Sequence, residues 1–146
     1  MIKREAKFTT LFKKWLRANE QVQSLADGAA WEIKATDKDR ILFSSVSRHQ
    51  IDALTQVADS LFQYKIPDDG FQKPFDMITF KRNKAWIVLA FIKPRKPAST
   101  WIIGIHTFKD LIDTHNMKSL SEEELLKYQN DPYFKSYYED IFHFDI

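Results

Sequence analysis

Glu32 and Lys34 stand one residue apart inside residues 29–36, Ala-Ala-Trp-Glu-Ile-Lys-Ala-Thr, a run that reads as a short strand after the Asp27-Gly28 turn signal. Successive side chains of a strand point to opposite faces, so Glu32 and Lys34 share one face while Trp31 and Ile33 take the other. A carboxylate and an ammonium presented together suit phosphodiester hydrolysis. A carboxylate-held Mg²⁺ or Mn²⁺ places charge near the scissile phosphate and makes hydroxide from water, and a lysine beside that water completes the set. A solvated ion pair has the same E-x-K spacing, so the spacing alone leaves both readings open.

Other elements must hold this strand in place. Over residues 4–18, Phe8, Leu11, Phe12, Trp15 and Leu16 recur at three- and four-residue intervals and mark an amphipathic helix, with Glu5 on its inward stripe. Residues 40–46 read as a second extended piece, followed by a helix over residues 47–62 capped by Ser45 or Ser47, with Ile51, Leu54, Ala58 and Leu61 inward. After a loop with Pro67, Asp68, Asp69, Gly70 and Pro74, the runs 76–80 and 85–92 flank Lys81-Arg82-Asn83-Lys84, which predicts a hairpin with a basic tip. A Pro- and Lys-rich loop spans residues 93–99, and residues 101–106 return to the sheet. A short helix over 107–114 and a capping-box helix starting at Ser121 complete the pass before an acidic, aromatic tail from about Asn130. These elements make one α/β (α+β) domain, a central mixed sheet flanked by helices.

The order of these pieces carries a resemblance. Trp31–Leu54, WEIKAT followed after a short spacer by ILFSSVSRHQIDAL, resembles the core of the RecU-type Holliday-junction resolvases and their phage relatives in the PD-(D/E)xK nuclease superfamily. In that family a strand bearing E-x-K leads through a short apolar segment into a helix that begins with His-Gln. The resemblance covers about a quarter of the chain closely and extends more weakly to Glu5 and to the runs 85–92 and 101–106. It implies a restriction-endonuclease-like fold, with Glu32 as a metal ligand, Lys34 as the water-activating or phosphate-stabilising lysine, Gln50 lining the site and Glu5 as an outer ligand. The superfamily usually carries an aspartate on the strand before E-x-K. Here only Asp27 precedes Glu32 closely, too near to lie across a hairpin, and Lys73-Pro74-Phe75-Asp76 resembles the family's P-D element moved downstream. Asp76 is therefore the expected second ligand, with a turn-capping aspartate as the plainer reading.

Charge gives a second line of reasoning. The net charge is only +2, but residues 1–17 carry six cations against one acid, residues 81–96 carry six against none, and residues 119–146 carry seven acids. Lys81, Arg82, Lys84, Lys93, Arg95, Lys96, Lys7 and Lys14 are the candidate DNA contacts, acting on phosphates without reading sequence. His49 is a secondary candidate as a general base, while His106, His115 and His143 lack metal-ligand spacing and no Gly-rich phosphate loop is present. The chain has no cysteine, which excludes disulfides and thiolate chemistry, and no stretch approaches the length of a membrane span. The expectation is a cytoplasmic Mg²⁺- or Mn²⁺-dependent endonuclease acting on DNA, with branched DNA as favoured substrate and a homodimer as one assembly open to it. Its rival is a catalytically silent DNA-binding or assembly protein. The acidic tail is expected to pack on its own domain or on a second subunit.

Overall fold

The computed structural model describes residues 2–19, 22–68, 72–113 and 116–146. Asp69 and Gly70 of the central loop, the expected helix end at Thr114, and His115 lie outside the described residues.

Helix α1 (Ile2–Ala18) is followed by a single turn, α2 (Gln23–Ala26), and by strand β1 (Ala30–Thr36). Short β2 (Arg40–Leu42) and a 3-10 turn at Phe43–Ser45 lead into α3 (Arg48–Asp59), then β3 (Leu61–Lys65), β4 (Met77–Lys81) and β5 (Ala85–Phe91). The chain ends with β6 (Ser99–Gly104), α4 (Ile105–Asp113), β7 (Ser119–Ser121), α5 (Glu122–Asn130), α6 (Pro132–Tyr137) and β8 (Ile141–Asp145).

A four-stranded sheet in the order β1-β5-β6-β8 forms the centre, with β1 parallel to β5 and the remaining pairs antiparallel. All seven residues of β5 are buried, as a strand covered on both faces requires, which is why its sequence is apolar without alternation. Trp86, Val88 and Ala90 face one side with Phe8 and Phe12 of α1, while Ile87, Leu89 and Phe91 face the other with Leu54, Phe108 and Leu125 of α3, α4 and α5. Register carries this division onto β1. Trp31 and Ile33 lie beside Trp86 and Val88, and Glu32 and Lys34 beside Ile87 and Leu89, so the two charged residues project to the α3 side.

The expected hairpin of 76–80 with 85–92 does not form. β4 pairs with β3 in a separate two-stranded sheet, and residues 82–84 link that hairpin to the central sheet. β3 takes residues that the apolar spacing assigns to the helix, because Leu61 continues the stripe of Leu54 and Ala58 although α3 stops at Asp59. The link is pinned to the end of α3, with the Arg82 N–H donating to the Ser60 carbonyl at 3.0 Å and that of Asn83 to the Val57 carbonyl at 2.8 Å. These bonds satisfy carbonyls that a helix end leaves open. Asn83 also lies against Gly28, whose φ of +67° and the 3.0 Å separating its missing Cβ from the Asn83 side chain both call for glycine.

The tail packs on its own domain: β8 is the fourth strand of the sheet, and Phe142 and Phe144 join the cluster beneath α1. Among the described residues no helix is long and apolar enough to cross a membrane.

Candidate functional site

β1 is an edge strand, so its two faces meet at an open margin where groups from both sides of the sheet converge. Lys34 Nζ lies 3.3 Å from Glu32 Oε1, and the two side chains are only 18% and 23% exposed. That is well below the exposure of a solvated surface pair, whose long side chains usually stay in water. Glu5 arrives from the first turn of α1, where a negative charge is favoured by the helix dipole. It lines with Lys34 a cleft of about 190 Å³ at the β1 margin, together with Thr36, Asp37 and Arg40.

Ion pairs frame this end of the sheet. Arg4 holds Asp37 at 2.9 Å, Arg40 pairs with Glu124, and Lys93 lies 3.3 Å from Glu122. Arg40 also donates to the Ser119 hydroxyl at 2.8 Å. The Asp37 to Arg40 loop and the start of α5 are thereby tied together, since the Glu122 N–H donates to the Asp39 carbonyl at 3.3 Å.

Gln50 has a structural task. Its amide oxygen accepts from the Ser47 N–H at 3.0 Å, and its own N–H donates to the Ser47 hydroxyl at 3.1 Å, which closes the capping box of α3. Ser47, not Ser45, is therefore the N-cap. His49, beside it, is exposed.

Asp76 is not brought to Glu32. Its side chain is 89% exposed and pairs with Lys73 at 3.3 Å at the start of β4. The hairpin carries it away: Lys81, five residues on, lies about 17 Å along the strand. Among the described residues no three His, Cys, Asp or Glu side chains are grouped so as to hold a metal ion, and Glu32, Asp76 and Glu5 therefore make no three-carboxylate site.

The candidate DNA contacts divide between two ends of the sheet. Lys81, Arg82 and Lys84 are exposed at the start of β5, where Lys84 donates to the Ser24 carbonyl. Lys93, Arg95 and Lys96 follow the end of β5, about 20 Å away along seven strand residues and on the same side as Thr36 and the cleft. Lys7 and Lys14 join this second group, lining with Lys96 and Arg4 a separate groove of about 700 Å³. Arg4, Asp37 and Arg40 were not singled out as site residues in the sequence, because nothing in local spacing places them beside Lys34.

One further cluster tests another chemistry. Ser99 Oγ lies 2.9 Å from His143 Nε2 and Asp145 Oδ1 lies 3.7 Å from the same nitrogen, with the His143 ring stacked on Trp101. A nucleophile relay needs the hydroxyl and the carboxylate on opposite ring nitrogens, so this cluster is not one. His106 Nε2 and Asp59 Oδ1 lie 2.7 Å apart, which joins α4 to the end of α3.

Compared with known protein families, with curated proteins and with solved structures, the chain matches none.

Proposed function

We propose that the chain is a metal-dependent DNA endonuclease of the PD-(D/E)xK type, with its site in the cleft at the β1 margin. The observation that carries this reading is the half-buried Glu32–Lys34 pair on one face of an edge strand, with Lys34 and Glu5, the latter from α1, lining one cleft at its margin. Glu32 and Glu5 are oxygen donors of the kind Mg²⁺ takes, and that ion is commonly held by one or two carboxylates plus substrate phosphates. The chain's residues thus suit Mg²⁺ or Mn²⁺ in kind with Asp76 left out of the set. When bound, such an ion supplies charge at the scissile phosphate and a water of lowered pKa. Lys34 offers its ammonium to the same phosphate or to the attacking water, and its pairing with Glu32 fixes where that charge sits. A four-way or otherwise branched DNA is the favoured substrate, by resemblance.

A second reading is favoured by one specific observation, the missing group of three ligating side chains among the described residues. On it, the chain binds DNA without cutting. Incubation of supercoiled plasmid, linear duplex, single strands and a four-way junction with the protein and Mg²⁺ or Mn²⁺ separates the two. Cleavage that disappears in Lys34→Ala supports the nuclease; retained DNA binding with no cleavage under either ion supports the binding protein.

A further inference from the structure

The groove beside α1 carries four cations, Arg4, Lys7, Lys14 and Lys96, and no acidic side chain among the described residues that line it. Its floor is apolar, made by Phe8, Leu11, Ile92 and Ile146. Phe8 is 3% exposed, whereas Leu11 is 48% exposed between the lysines that flank it on the same helix. The only neutral hydroxyl in the lining, Thr10, is occupied in donating to the Ala6 carbonyl at 3.2 Å. The groove therefore offers charge and apolar contact but little that could read a base edge.

Its position ties it to the cleft. Arg4 lines the groove, Asp37 lines the cleft that holds Glu5 and Lys34, and these two residues form an ion pair at 2.9 Å, so the two cavities abut there.

We infer that this groove holds a single unpaired DNA strand and leads it toward the cleft lined by Glu5 and Lys34. A duplex buries its bases and would set charged backbone against the apolar floor. A single strand turns phosphates to the four cations and base or sugar faces to Leu11 and its neighbours, the combination by which strands are held without sequence preference. Arg4 to Lys14 spans ten residues of helix, about 15 Å, room for a short stretch of strand. The inference rests on the nuclease reading for the strand's destination, and it narrows the substrate to DNA with an unpaired segment next to the scissile phosphate.

Binding measured without divalent ions tests it apart from cleavage. Fluorescence anisotropy compares a labelled oligothymidylate of about twelve nucleotides with a duplex of equal length across a salt series. The single strand should bind about tenfold tighter than the duplex, with a log–log salt slope of about −3 for four phosphates. Combined Lys7→Ala, Lys14→Ala and Lys96→Ala should reduce that slope to about −1, and Leu11→Ser should weaken only the single strand, leaving its slope in place. A duplex bound as tightly as the single strand, or a slope indifferent to the three lysines, overturns the inference. Groove-dependent binding of the single strand with no cleavage of any substrate would sink the nuclease reading and leave this one standing. Cleavage by a protein whose binding ignores the groove would do the reverse.

Discussion

Strand β1 and the β3–β4 hairpin each present an acid beside a lysine, yet only one of the two settings holds its pair in place. On β1, Glu32 and Lys34 sit 3.3 Å apart on a strand whose other face is locked by Trp31 against Phe12 and Trp86. On the hairpin, Asp76 and Lys73 are also 3.3 Å apart, but the aspartate is almost wholly in solvent and the strands beside it expose Tyr64 and Met77. Both pairs set a carboxylate against a lysine at the same separation. What differs is whether the supporting shell restricts the side chains, and positioning of that kind is what a reacting site requires.

Changes to that shell should therefore act unequally. The largest stability effect is expected at Phe12, which is fully buried and meets Trp31 edge-on with ring centroids 5.4 Å apart. Phe12→Ala should cost about 3–5 kcal/mol in denaturant unfolding and loosen α1 over β1. Ser47→Ala should cost about 0.5–2 kcal/mol by removing the cap that fixes the start of α3 and the orientation of Gln50. Tyr64→Ala on the hairpin should lie within about 0.5 kcal/mol of the parent, since its side chain is half exposed. A loss at Tyr64 as large as that at Phe12 would erase the contrast between the two regions.

A smaller, pH-dependent effect is expected where the tail meets α4. Burial, and then the Asp110 carboxylate that accepts the Tyr138 O–H at 2.9 Å, push the Tyr138 phenol above its ordinary value of 10.0. The unfolded chain loses this proton first, so the contribution of Tyr138 is intact below pH 10 and declines as pH rises beyond it. Thermal melts across that alkaline range should fall more steeply for the parent than for Tyr138→Phe; parallel slopes would remove this role.

How much of this was legible in the sequence depends on distance along the chain. The facing of Glu32 and Lys34 followed from two-residue alternation, and α1 and the start of α3 followed from apolar spacing and a capping serine, all local signals. The pairing of β4 was misread because residues 76–80 and 85–92 are neighbours in sequence and a short polar link between them mimics a turn. Its true partner, β3, directly follows a helix whose inward stripe it continues. The strand character of β8 lies in the alternation of Phe142-His143-Phe144-Asp145, a run too short to stand out from the aromatic, acidic tail around it. Glu5 is placed at the site by resemblance, whereas the approach of Asp37 and Arg40 to Lys34 is not legible, because it depends on how α1 and the β2 region close over the sheet edge. Asp76 stands at the start of the separate β3–β4 hairpin, and motif likeness carries no information about which sheet a strand joins.

The proposed site stands or falls on cleavage rates compared across three variants under identical Mg²⁺ conditions. Glu32→Gln and Lys34→Ala should each lower the rate by about 10²-fold or more, the scale of a lost electrostatic or acid–base group, with folding and most DNA affinity kept. Asp76→Ala, altered on the solvated hairpin, should cut at the parent's rate. Loss of cleavage in Asp76→Ala with normal rates in the other two would contradict the account at its centre.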